Sequence, residues 1–229
     1  MTDATRRDAP VDTPSSGSLT AVAYSALEEL IVRLELAPGA TVTEQQLSGL
    51  LGIGRTPIRE ALQRLVHQGL VKVLPRKGIL ISPIDPHAQL RLLAVRREVE
   101  RLVARSAATA ATREEKDRFL ELAAQFERSG RAGDDVAFLR TDREFNEQCL
   151  ASARNEFASA AMETLQPLAR RFWFHHYRQA ADLPESARLH AAVARAIGEG
   201  RPDAAATALD ALLDVIEAFT RTAGTPAVA

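Results

Sequence analysis

The 229-residue chain has a single cysteine, Cys149, so it can form no intramolecular disulfide, which fits a reducing compartment. No stretch approaches the roughly 18 apolar residues of a membrane span. Positions 1–18 carry Thr, Asp, Pro, Ser and Gly with almost no large apolar residue. Lacking the apolar h-region of a signal peptide, they read as a disordered tail, and a cytoplasmic protein without membrane association is expected. There is no internal repeat. Nucleophile elbow, phosphate loop and His-Glu-x-x-His motifs are also missing, which removes common signatures of hydrolases and nucleotide-binding enzymes.

Net charge is scarce too, at −1, and at first sight excludes a polyanionic partner. Its distribution reverses that. Between positions 54 and 79 stand Arg55, Arg59, Arg64, Lys72, Arg76 and Lys77 against Glu60 alone, so the rest of the chain is net negative. A basic module on an acidic body is the asymmetry of a protein that touches nucleic acid with one part of itself. With 46% hydrophobic residues there is material for two cores, as the length suggests.

The basic module has a readable local structure. Leu27, Leu30, Ile31 and Leu34 define an amphipathic helix that stops at Pro38-Gly39. Thr43 with Gln46 forms a capping box for a second helix, whose apolar side is Leu47, Leu50 and Leu51 and which ends at Gly52. A third helix opens near Gly54, with Pro57 in its first turn, and closes at Gly69. Its buried face is Ile58, Ala61, Leu62 and Leu65. Arg55, Arg59 and Gln63 form a separate polar stripe, suited to phosphates and to the O6/N7 edge of guanine. Positions 70–74 and 79–81 are two short β-type runs around Pro75-Arg76-Lys77-Gly78, a hairpin with a basic tip. Three helices and a hairpin make a winged helix-turn-helix over 19–84.

The run Gly52-Ile53-Gly54-Arg55-Thr56-Pro57-Ile58-Arg59-Glu60-Ala61-Leu62 resembles the recognition helix of the GntR superfamily of bacterial transcription regulators. One departure is Gly54, where the family often has a serine; the helix cap survives, but a hydroxyl that could contact phosphate is lost. The resemblance implies that Arg55 and Arg59 contact operator DNA, with Thr56 and Gln45 on phosphates or flanking bases. Arg76, Lys77 and Gly78 at the wing tip would approach the backbone or minor groove.

From Asp85 to about position 222 the pattern is helical throughout, and a short Gly/Thr/Pro/Ala tail follows at 223–229. Asp85-Pro86 starts a helix with Leu92, Val95, Val99 and Leu102 at helical spacing. Thr112 and Glu115 cap the next, with Phe119, Leu122 and Phe126 on its buried side. A turn is expected at 130–133. Asp134 begins a helix carrying Leu139, Asp142, Phe145, Asn146 and Cys149. Asn155 starts a long helix with Pro167 inside it, and Pro184 and Pro202 open the last two. The fold class is mainly α, a winged helix-turn-helix followed by an antiparallel helical bundle.

The bundle is similar to the effector domain of the FadR branch of that superfamily. The resemblance rests on Arg96 with Glu100, on Asp142 to Asn146, and on His190 ahead of Ala196-Ile197. Many members of the branch hold a divalent metal with one Asp and three His. Here Asp142 and His190 remain, but Asn146 and Leu212 stand where two histidines would be, too few ligands for a zinc-type site. The resemblance therefore implies an effector pocket around Arg96, Asp142, Asn146 and His190 with no cofactor or tightly bound metal. Two readings of Asp142 stay open, a structural salt bridge to Arg96 and a polar pocket floor. Within the aromatic and basic cluster Arg171, Trp173, Phe174, His175, His176 and Arg178, one of His175 and His176 should face the core beside Phe172. Either could replace a missing ligand. His67 and His87 read as surface residues.

The expected function is a homodimeric transcription regulator on a palindromic operator, controlled by a small effector, a carboxylate. Two other classes stand beside it. A metal hydrolase could be built from Asp142, His175, His176 and His190. A constitutive DNA binder would need no polar residues inside the bundle.

Overall fold

The computed structural model describes the backbone of residues 16–180 and 182–223 and the side chains of 18–176 and 182–222. The N-terminal unit runs α1 (Ser16–Val32), β1 (Thr41–Val42), α2 (Glu44–Leu51), α3 (Arg55–His67), β2 (Val71–Leu74) and β3 (Gly78–Ile81). The bundle follows as α4 (Pro86–Ala110), α5 (Arg113–Ala132), α6 (Asp135–Ala153), α7 (Glu156–Ala180), α8 (Leu183–Gly198) and α9 (Pro202–Ala223).

Short-range chemistry fixes the element starts. The Thr43 hydroxyl accepts from the Gln46 amide while the Gln46 side chain accepts from the Thr43 amide, closing a capping box. Gly52, at φ 66°, ends α2 in the left-handed region. Thr112 and Glu115 repeat the box on α5. Asp85, Asp134, Asn155 and Asp182 each accept a backbone N–H at the start of α4, α6, α7 and α8.

The first core joins Leu27 and Ile31 of α1, Leu47 of α2, the Ile58/Ala61/Leu62/Leu65 face of α3, and Leu70, Val71, Ile79 and Ile81 of the wing. The sheet has three strands in the order β1-β3-β2, all antiparallel. The extra strand β1 pairs Thr41 with Leu80 and Val42 with Ile79. Two residues carry no period, so the sequence could not announce it. Gly78 sits at φ 102°, and a Cβ there would lie 2.6 Å from the Val42 carbonyl oxygen, so the wing turn requires glycine.

In the bundle α5 packs on α8, and α9 on both α4 and α8, around Phe119, Leu122, Phe126, Val193, Ile197 and Leu213. Five expectations need correction. The first helix ends at Val32, short of Pro38-Gly39, and Leu34 lies beyond it at φ 64°. The first helix starts at Ser16, inside the 1–18 segment read as tail; positions 1–15 and 224–229 lie outside the described residues. Leu50 does not join the α2 core and is 61% exposed. On α4, Val95 and Leu102 are exposed, and the inward face is instead Leu93, Glu100, Val103, Ala104 and Ala107. The turn expected at 130–133 is helical as far as Ala132, with Gly133 as the left-handed C-cap. Gly130 is inside α5 because a Cβ there would stand 2.7 Å from the Ala187 Cβ, so its absence lets α8 come close.

Candidate functional site

Two sites emerge, one in each unit, and α7 touches both units. On the N-terminal unit, Gln45, Arg55, Thr56 and Arg59 are exposed at the start of α2 and α3, and Arg76 and Lys77 are exposed at the wing tip. All six share the surface with Gln63. Burying Ile58, Ala61, Leu62 and Leu65 turns the Arg55/Arg59 side of α3 outward. Arg59 does not stand free: its guanidinium donates to both carboxylate oxygens of Glu44, at 3.0 and 2.7 Å. Glu44 was not anticipated, because it pairs from a different helix.

The second site is a cavity of about 100 Å³ lined by α4, α6, α7, α8 and α9. Arg96, Asp142, Asn146 and His190 all line it, although they come from three helices. Phe138, Trp173, Leu209 and Leu212 supply its apolar wall. A dry cavity of roughly 150 Å³ admits a benzene-sized molecule, so this space suits a small metabolite better than a long acyl chain.

The polar groups are already paired. His190 Nδ1 lies 2.7 Å from the Ser186 carbonyl, which makes it the donor there. Its Nε2 is 3.5 Å from Asp142 Oδ1, and it can donate to that carboxylate only when the ring carries both protons. Asn146 Nδ2 donates to the Asp142 carbonyl and to Asp142 Oδ1. Burial pushes the Asp142 carboxyl up. The His190 hydrogen bond and charge, with Arg170 and Arg96 behind it, outweigh that and hold it below the usual aspartate range. The suggested Asp142–Arg96 salt bridge is therefore not the main contact. Arg96 instead grips Glu100, through Nε at 2.8 Å and Nη2 at 2.7 Å. Arg170, which the sequence did not single out, also lines the cavity.

The metal set implied by the FadR resemblance does not fit these residues. Asp142 and His190 approach each other, Asn146 is turned to Asp142, and Leu212 offers hydrocarbon. Neither histidine of the aromatic cluster fills the gap. His175 is exposed, and His176 packs on Phe172 with ring centroids 4.5 Å apart, outside the cavity. Among the described residues no three His, Cys, Asp or Glu groups gather to hold an ion. The His175 or His176 replacement, and the hydrolase built on it, lose their geometry. The Arg178 side chain lies outside the described residues. His67 and His87 are exposed, as read.

Between the sites, Arg64 at the end of α3 reaches Glu163 of α7, and Gln68 Nε2 donates to the Glu163 carbonyl at 2.9 Å. Arg170 reaches Glu28 at 3.1 Å and Glu29 at 3.5 Å on α1. Arg171, only 2% exposed, donates to the Ser82 carbonyl after the wing, and burial pulls its guanidinium down to about 10.

Comparison with known proteins matches each of the two units. The pattern of bacterial regulatory proteins of the gntR family matches residues 19–81, and the FCD domain matches residues 91–215. The chain belongs to the GntR family, with an FCD domain. An HTH-type transcriptional regulator in an unstable DNA locus of Streptomyces ambofaciens is 44% identical over 63 residues, 28% of this chain and 27% of that one. The transcriptional repressor RspR of Escherichia coli K12 is 34% identical over 90 residues, 39% of each chain. The Nta operon transcriptional regulator of Aminobacter aminovorans is 26% identical over 63% of this chain and 67% of its own. The chain thus spans well under half the length of the first two relatives. E. coli McbR/YncC shares the fold with TM-score 0.79 at 20% identity, over 91% of this chain and 99% of its own. GntR family members are regulators, not enzymes, and no helix among the described residues is long and apolar enough to cross a membrane.

Proposed function

We propose that this GntR-family chain is a cytoplasmic transcription regulator that binds a palindromic operator as a homodimer, under the control of a small organic acid in the FCD cavity. The observation that carries the reading is the convergence of Arg96, Asp142, Asn146 and His190, from three helices, on one cavity. A helical bundle needs no such polar interior for packing alone, because apolar side chains would fill the space without having to find hydrogen-bond partners. This favours a ligand-responsive protein over a constitutive DNA binder.

On the DNA side, Arg55 and Arg59 read bases in the major groove, with Thr56 and Gln45 beside them. Arg76, Lys77 and Gly78 hold the wing to the backbone or minor groove. A dimer would set two such modules on successive half-sites. In the cavity, Arg96 supplies donors to a carboxylate, joined by His190 Nε2 when the ring carries both protons, and Asp142 and Asn146 orient it. The ligand set is too poor for tight metal binding, so the acid is held by direct hydrogen bonds.

The experiment has two arms. Operator DNA selected from a random pool should be enriched in a palindrome. Lactate, malonate, succinate and citrate should be screened by thermal shift, with at least one raising the melting temperature of wild-type protein and not of His190→Ala. Stoichiometric zinc or nickel that survives dialysis would overturn the metal-free part, and a flat screen would overturn the acid.

A further inference from the structure

We propose that Arg170 is the residue through which occupancy of the cavity reaches the DNA-binding unit. This rests on reading the cavity as an acid site. Arg170 has two sets of neighbours. On one side it lines the cavity, and its charge is among those that hold Asp142 ionised. On the other side its Nη1 is 3.1 Å from Glu28 and its Nη2 is 3.5 Å from Glu29. Both acids belong to α1, whose Leu27 and Ile31 are locked in the same core as the recognition helix α3.

The other cavity donors are committed inside. Arg96 faces Glu100 on its own helix, and His190 faces Ser186 and Asp142. An acid that takes hydrogen bonds from these displaces partners within the cavity, with no effect on α1. Arg170 differs because its partners lie in the other unit. A carboxylate that enters and recruits its guanidinium takes it from Glu28 and Glu29.

Glu28 then decides the consequence. Burial already pushes its carboxyl up, and Arg170 is the largest influence holding it down, ahead of Arg143. Without Arg170, a half-buried carboxylate loses its nearest compensation, which favours separation of α1 from α7. Glu29 keeps Arg143 at 2.5 Å, so the contact loosens at Glu28 rather than coming apart whole. Acid in the cavity and DNA on α3 thus compete for one guanidinium's position, and the coupling runs equally in both directions.

The test is amide hydrogen exchange across residues 23–32 of the full chain. Wild type, Arg170→Met, Arg170→Lys and the double variant Glu28→Gln/Glu29→Gln are each measured alone and with millimolar lactate, malonate, succinate or citrate. Arg170→Met and the glutamine pair should speed α1 exchange roughly fivefold or more, and Arg170→Lys should restore most of the protection. The acid that raises the wild-type melting temperature should speed α1 exchange in wild type and leave the glutamine pair unchanged. The glutamine pair keeps the test decisive if Arg170→Met fails to fold. Unchanged exchange in these variants, or an acid that raises the melting temperature without touching α1, would remove the bridge and leave the acid reading standing. Melting temperatures that no acid moves would remove the acid reading, and with it an acid's release of Arg170.

Discussion

Arg59 lays its Nε and Nη2 against the two oxygens of Glu44, so a side chain of the recognition helix is held in a two-point fork by a side chain of the helix before it. The Arg59 hydrogen bond holds the Glu44 carboxyl below the usual range. In water such an exposed pair adds little stability. Its effect is geometric, because two hydrogen bonds fix the plane of the guanidinium.

Arg59→Ala should therefore lower operator affinity about 5- to 150-fold, the range for loss of one bidentate base contact. Titration of the selected palindrome by fluorescence anisotropy measures this. Affinity retained within twofold would show that Arg59 does not read a base.

Lys77→Ala at the wing tip should weaken binding to all sequences alike. The slope of log affinity against log salt should flatten by roughly one. A change in sequence preference at constant slope would make the wing a base reader.

Gly78→Ala puts a Cβ 2.6 Å from the Val42 carbonyl at φ 102°. The expected cost is roughly 1–3 kcal/mol. It should appear in calorimetry as a lower melting temperature and in exchange as loss of protection in β1 and β3. An unchanged melting temperature would mean that the wing turn relaxes freely.

Asp142 titrates below the ordinary aspartate value of 3.8, so its native form binds protons less readily than its unfolded form. Its contribution to stability is full above that value and is lost as pH falls through the lower native one. Asp142→Asn should flatten the acid limb of melting temperature against pH below about 4 and leave its shape near neutrality alone. A limb identical to wild type would mean that the pairing with His190 adds nothing to the fold.

The elements fixed by neighbours in sequence were legible. Capping boxes at Thr43 and Thr112, Pro57 in a first turn and Gly52 at a C-cap all act within four residues. The inward face of α4 was not, because it carries Arg96 and Glu100, which satisfy each other, while the more apolar-looking Val95 and Leu102 face out. Gly130 read as a turn because what makes glycine useful there is the close approach of α8, far along the chain. The cavity was half legible. Arg96, Asp142, Asn146 and His190 stood out by position and resemblance. Arg170 and Glu44 did not, since each is defined by a partner on another helix: Glu28, 142 residues away from Arg170, and Arg59, 15 residues from Glu44.

Pro167 lies inside α7 and has no N–H to give the carbonyl four residues earlier, which is that of Glu163. That oxygen is the one Gln68 reaches from the end of the recognition helix. An imino acid that interrupts a helix ladder, at a cost of about 3 kcal/mol, has thus opened a vacancy in the ladder that the DNA-binding unit plugs. Had position 167 carried an ordinary amide, the helix would have closed on itself and Gln68 would have had to share its acceptor. A defect in one element has become the socket for another.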